Sequence, residues 1–143
     1  PNSKGVERTC VGIVTLTRLH WCLVQINNNS QTGHKEQEEL KLLMLNTKSK
    51  LVGESDIFKG TVNASLISPR EVFITALEKH AVGIILLHNH PSGDPTPSMN
   101  DINCTKRIHE AGELMGIPLI DHIIIGDNSY FSFKERDILG REY

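Results

Sequence analysis

The sequence is poor in the features that announce a specialised chain. Its three cysteines, Cys10, Cys22 and Cys104, are odd in number and lack Cys-x-x-Cys spacing, which excludes a disulfide framework and a thiolate zinc ribbon and fits a reducing, cytoplasmic setting. Charge of one sign is not in excess: 15 Lys and Arg stand against 17 Asp and Glu, for a net −2 and a pI near 6.4. Without a basic field to collect phosphates, nucleic acid gains no support as a partner. Long hydrophobic runs are missing too. The longest, residues 11–26, is broken by Arg18 and His20 and is too short and polar to span a membrane. It lacks the charged approach and small-residue cleavage site of a signal peptide, so no membrane partner is expected. The chain opens on Pro1 without an initiator Met, as a processed product or an excised domain would.

What is present is ordinary for one soluble α/β or α+β domain: 143 residues, 38% hydrophobic, 22% charged and 5% aromatic. That length buries a core without covalent help. No repeat occurs, and the one linker-like stretch, Asn27-Asn28-Asn29-Ser30-Gln31-Thr32-Gly33, separates a strand-like run over 11–26 from the rest. Residues 1–35 therefore read as a separate N-terminal segment with no structure assigned.

Downstream, a hairpin is predicted from Leu40–Leu45, the turn Asn46-Thr47-Lys48-Ser49 and a strand over Lys50–Gly53, with a further strand over Thr61–Ile67. Ser68-Pro69-Arg70-Glu71 reads as a helix start with a capping box, and Val72, Phe73, Ala76, Leu77 and His80 as its apolar face. Ala81 to Leu87 is an aliphatic run that looks buried on both faces and ends in His88. After a proline-rich loop over 91–97, Ser98-Met99-Asn100-Asp101 is a second capping box. It opens a helix to about Met115 with a stripe of Ile102, Ile108, Ala111 and Met115, stopped by Gly116. Strands over Ile120–Ile125 and Tyr130–Phe133 flank the turn Gly126-Asp127-Asn128-Ser129. The fold class expected is α/β, a mixed sheet flanked by helices.

The chemistry lies in His88-Asn89-His90-Pro91 and the Ser98 and Asp101 that follow. Two histidines at i and i+2 at a strand's end share a face, so their imidazoles can converge on one ion. Asp101, in the first turn of the next helix, supplies a third ligand if the loop folds back. Two imidazoles, one carboxylate and an open position are the ligand set of a catalytic Zn²⁺. A nearby carboxylate outside that set could carry protons, and Ser98 could donate a hydrogen bond to a developing oxyanion. The plainer reading of Ser98 and Asp101, a cap and its N3 partner, is compatible with both roles. His122 reads as a core histidine or as a support behind the ligands. Cys104 reads as packing, Ser92 and Asp94 as turn formers, and Lys41, Lys48, Lys50 and Lys59 as a solvated face.

His88-x-His90-Pro91, six residues, then Ser98-x-x-Asp101 resembles the JAMM (MPN+) metalloprotease signature. With Ser68-Pro69-Arg70-Glu71 before it and Asp121-His122-Ile123-Ile124-Ile125-Gly126 after it, the segment is similar to the JAMM-like domains of the bacterial RadC family, over about residues 38–140. The resemblance implies a cytidine-deaminase-like α/β/α fold over 36–143, a zinc ion, and hydrolysis of a peptide or isopeptide amide in a peptide or protein substrate. It also implies an upstream glutamate as general base and a helix leading into it. Glu38, in Glu38-x-Leu40-x-Leu42-Leu43-x-Leu45, best matches that glutamate, with Glu54 on the second hairpin strand as competitor and Glu36 and Glu39 in neighbouring registers. Two other readings stay open: a DNA-binding or DNA-processing module with a retained metal site, as the family's repair label suggests, and a metal-stabilised interaction domain without turnover.

Overall fold

The structure, a computed structural model, describes residues 38–60 and 67–139, with the backbone alone at 58–60. The strand-like run over 11–26, the polar stretch at 27–33, the helix expected before Glu38 and the strand expected over 61–67, all but Ile67, lie outside the described residues.

Five strands and two helices follow in the order β1 (Glu38–Leu45), β2 (Leu51–Gly60), α1 (Pro69–Glu78), β3 (Gly83–Asn89), α2 (Met99–Met115), β4 (Leu119–Ile125) and β5 (Tyr130–Ser132). They form one mixed sheet in the order β2-β1-β3-β4-β5, parallel between β3 and β4 and antiparallel elsewhere. The α/β class expected from the sequence is thus the one observed.

The aliphatic run Ile84–Leu87 lets β3 lie at the centre, and Gly83 to His88 are all buried. Alternation then divides the sheet. Leu40, Leu42, Met44, Ile84, Leu86 and Leu119 pack with Val72, Phe73 and Ala76 of α1 and Cys104 and Ile108 of α2, so both helices cover this face. Leu43, Leu45, Ile85, Leu87, Ile123 and Ile125 form a second cluster on the opposite face. Each such side chain, taken fully out of water, contributes about 1.5–3 kcal/mol.

Several local expectations change. β2 runs to Gly60 rather than Gly53, because an edge strand with alternating exposed positions accommodates Glu54 and Asp56 in the pairing. Ser68 caps α1 without a side-chain bond. Its own carbonyl takes the Glu71 amide at 3.2 Å, so the predicted capping box does not form. The helix ends at Glu78, which leaves Leu77 half-exposed and His80 in a left-handed turn (φ 52) beyond it. The capping box of α2 does form, and Gly116 ends the helix at φ 72. Its buried stripe is Asp101, Cys104, Thr105, Ile108 and Gly112: of the predicted stripe Ile108 is in the core and Ala111 packs against it, Ile102 is partly buried, and Met115 is exposed. The small residues allow close approach to the sheet: a Cβ on Gly112 would meet the Ile117 carbonyl at 2.6 Å. Cys104 is buried packing, as expected.

Candidate metal centre

Strand β3 delivers His88 to the helix-covered face, where it is 1% exposed. Antiparallel pairing sets Leu40 opposite His88. Glu38, two residues earlier on β1, therefore points to the same face at the same end. Its Oε2 lies 3.8 Å from His88 Nε2. Past β3 the chain turns away, with the His90 amide bonded to the Ile125 carbonyl (2.8 Å) and Gly93 bonded to His90 (3.0 Å). Gly93 and Gly126 press together there: a Cβ on Gly126 would strike the Gly93 carbonyl. That contact, with the bond from the Asp127 amide to the Gly93 carbonyl (2.8 Å), pins the loop to the β4–β5 turn. The loop's far end starts α2, whose first turn swings Asp101 back toward the histidines. Asp101 Oδ2 lies 3.1 Å from His90 Nε2, and Oδ1 lies 3.5 Å from His88 Nδ1.

Glu38, His88 and His90 offer one ligand atom each within 4.8 Å of one another. Among the described residues this is the group of His, Cys, Asp and Glu able to share a cation. Ligands stand about 2.0–2.2 Å from zinc, so a small contraction of the group seats one. Asp101 adjoins the group, its Oδ1 nearest His88 and its Oδ2 nearest His90.

Protonation differs between the two histidines. Burial pulls the His88 pKa down to about 4, against the opposing pull of Asp101, so the imidazole is neutral and ready to ligate at pH 7. His90 Nδ1 lies 2.9 Å from the Asp94 carbonyl. A carbonyl only accepts, so Nδ1 carries a hydrogen. Nε2 faces the Asp101 carboxylate, and the pair is stable either with a second proton on the ring or with a metal ion in its place. Its hydrogen bond to Asp101 accordingly raises the His90 pKa. Burial alone would raise the Asp101 pKa, but hydrogen bonds from His90 and the Ser98 amide, with the field of His88, hold it well below the usual carboxylate range. For Glu38, burial dominates and raises the pKa.

The capping box ties Ser98 to the same carboxylate. The Ser98 amide donates to Asp101 Oδ2 (2.8 Å), and Ser98 Oγ accepts from the Asp101 amide (3.1 Å). That uses a lone pair of the hydroxyl and leaves its O–H to donate outward. Glu54 is elsewhere: it pairs with Leu43, so it faces the opposite side of the sheet and is exposed. Asp94 and Ser92 form turns as expected, with Asp94 accepting from the Thr96 amide and hydroxyl. The Asp94 carbonyl, which sequence reading did not single out, fixes the His90 ring. Lys41 pairs with Asp56 at 3.8 Å on the solvated strand pair.

Behind the ligand group lies a buried layer that the sequence only hinted at. His122 is stacked between His88 (centroids 6.0 Å) and Phe133 (5.0 Å), and burial lowers its pKa to about 3. Thr105 Oγ1 donates to the Asp101 carbonyl (2.8 Å) and meets His122 Nδ1 at 2.5 Å. Thr105 thereby joins the β4 histidine to the turn that presents Asp101. Its one sequence signal is a hydroxyl one helical turn after Asp101.

A profile of the "RadC-like JAB domain" matches residues 23–138. A "UPF0758 protein" of Clostridium botulinum (strain Alaska E43) is 52% identical over 111 residues, covering 78% of this chain and 48% of that protein. A "UPF0758 protein" of Clostridium perfringens is 56% identical over 103 residues, 72% of this chain and 45% of its own. One from Clostridium beijerinckii is 55% identical over the same length. The chain thus spans about half the length of these curated relatives. No helix among the described residues is long and apolar enough to cross a membrane. Fold, ligand geometry and family match agree: the chain belongs to the RadC-like JAB domain family.

Proposed function

We propose that this chain is a zinc-dependent hydrolase that cleaves a peptide or isopeptide amide bond in a peptide or protein substrate. The observation that carries the reading is the Glu38 carboxylate beside two histidines at a strand's end, one of them neutral and buried. His88, His90 and Asp101 would hold the ion, as donors suited to zinc in number and type. When bound, a divalent cation of this kind acidifies water and polarises a carbonyl oxygen.

The chain's own groups supply the rest. Glu38 is partly desolvated, and its raised pKa suits a carboxylate that takes a proton at Oε2 and releases it to a leaving amine. Asp101, kept ionised, neutralises the charge that gathers around His90. Ser98 O–H donates toward a developing oxyanion, a contribution of about 3 kcal/mol at comparable sites. His122 and Thr105 hold the His88 ring and the Asp101 turn from behind.

The test combines metal analysis with cleavage of peptide and isopeptide libraries. Purified protein should carry about one zinc per chain. Glu38→Gln should stay zinc-loaded, at an affinity about 10-fold lower, while cleavage drops at least about 100-fold, and Glu54→Gln should cleave as the parent does. Loss of cleavage in Glu54→Gln, with Glu38→Gln active, would transfer the base to the other strand and defeat this assignment. Salt-sensitive DNA binding without any cleavage would favour the nucleic-acid reading instead.

A further inference from the structure

The residue between the two histidines does not belong to the ligand group, yet it bonds to the chain immediately beside Glu38. Asn89 Oδ1 accepts the Glu39 backbone amide at 2.6 Å, across fifty residues of sequence. The β1–β3 ladder ends one residue earlier, at Leu40 and His88. Beyond that pair, β3 leaves the sheet partner on its β1 side, and the next amide, that of His90, goes to Ile125 of β4. On the β3 side, then, a side-chain oxygen and not a ladder pair holds the start of β1, while Glu38 and Glu39 pair with Gly60 and Lys59 of β2 on the other.

We infer that Asn89 is a positioning residue for Glu38: its amide oxygen clips the Glu39 N–H and so keeps the Glu38 carboxylate against His88 and His90. Alternation sends the side chains of residues 88 and 90 to one face and that of residue 89 elsewhere, toward the neighbouring strand. The His-Asn-His run thus divides its labour, with two side chains for the ion and one for the strand that brings the proton carrier. An amide suits the task because it accepts strongly without adding charge beside a cation site. Without the clip, Glu38 and Glu39 keep their register with Gly60 and Lys59 of β2 but lose their hold on the β3 side, and a strand end held on one side only opens locally. The inference rests on the proposed role of Glu38, but its test does not need turnover.

Three measurements on the whole chain test it. Amide hydrogen exchange at Glu39 should speed up at least about 10-fold in Asn89→Ala. Asn89→Asp, which keeps an acceptor oxygen, should restore protection, whereas Asn89→Leu, similar in size and without one, should behave as the alanine variant and replaces it if that variant does not fold. Zn²⁺ affinity, read by competition with a chelator, should fall about 10-fold in Asn89→Ala, the scale of a lost outer contact. In a Glu38→Gln background the same substitution should change affinity less than about 2-fold, because the clip then has no carboxylate to place. Unchanged Glu39 exchange, or an equal loss of affinity with and without the Glu38 carboxylate, overturns the inference and assigns Asn89 to the fold at large. Absence of peptide cleavage with this pattern intact would remove the hydrolase reading and leave the clip standing. Cleavage with a flat double-mutant cycle would do the reverse.

Discussion

Asp101 and Asp121 are two carboxylates buried to nearly the same degree, 2% and 4% exposed, and their surroundings treat them oppositely. Asp121 accepts from Ser132 Oγ (2.6 Å), the His122 amide (2.8 Å) and the Lys134 amide (3.0 Å). All three donors are neutral, and burial prevails, so its pKa is raised. Asp101 also has a backbone amide, but it stands between two imidazoles, and its pKa is pulled down. The difference separates a structural clip from a charge held in readiness. A buried carboxylate surrounded by neutral donors closes a strand pair, whereas one surrounded by ring nitrogens is arranged for a cation or a proton.

The sharpest way to break this contrast is to remove each carboxylate in turn. Asp101→Ala should lower Zn²⁺ affinity by more than about 100-fold, beyond the loss expected of an outer contact, and Asp121→Ala should leave affinity within about 3-fold. Chelator competition reads both, and equal losses would erase the distinction. Asp121→Ala should act on stability instead, since it strands a hydroxyl and two amides. A cost of about 3 kcal/mol is expected in denaturant unfolding, and a loss under about 1 kcal/mol would show that water replaces the carboxylate easily.

A third effect, gradual because opposing groups share it, is that of pH on the metal-free chain. Below about pH 6.5 an unfolded imidazole takes up a proton that His88 refuses until about pH 4. The unfolded state then binds more protons, so stability falls as pH drops through that window, by up to about 3 kcal/mol for His88. His122, lowered to about 3, acts in the same sense. His90 acts in the opposite one: with its pKa raised, its contribution is complete below the ordinary value and is lost as pH rises through the raised one. Urea unfolding in chelator should therefore show a less stable chain at pH 5 than at pH 7, and a shallower slope in His88→Gln. Equal stability at the two values would mean that His88 is hydrated and outside the buried group.

Much of the centre was legible because its offsets are local. His88 and His90 follow from strand alternation after an aliphatic run, and Asp101 follows from the cap at Ser98. Strand pairing decided what linear order could not, since only the register of β1 against β3 sets Glu38 beside His88 and turns Glu54 to the other face. The contacts that stayed hidden span distance in sequence: Asn89 with Glu39, and Thr105 with His122. The α2 stripe was read only in part, at Ile108 and Ala111, because apolar spacing marks large residues, whereas much of this interface is made by small ones, Cys104, Thr105 and Gly112. In α1, sequence periodicity ran past the helix end, where His80 takes a left-handed turn.

One oxygen, Asp101 Oδ2, both receives the Ser98 amide and confronts His90. Fraying at the head of a seventeen-residue helix and, on the proposed ligand set, release of the ion would therefore be inherited together by removal of the Asp101 carboxylate. On the proposed ligand set, replacement of His90 would remove a ligand and leave the helix head closed, so a matched pair of variants at these two positions separates metal loss from helix opening.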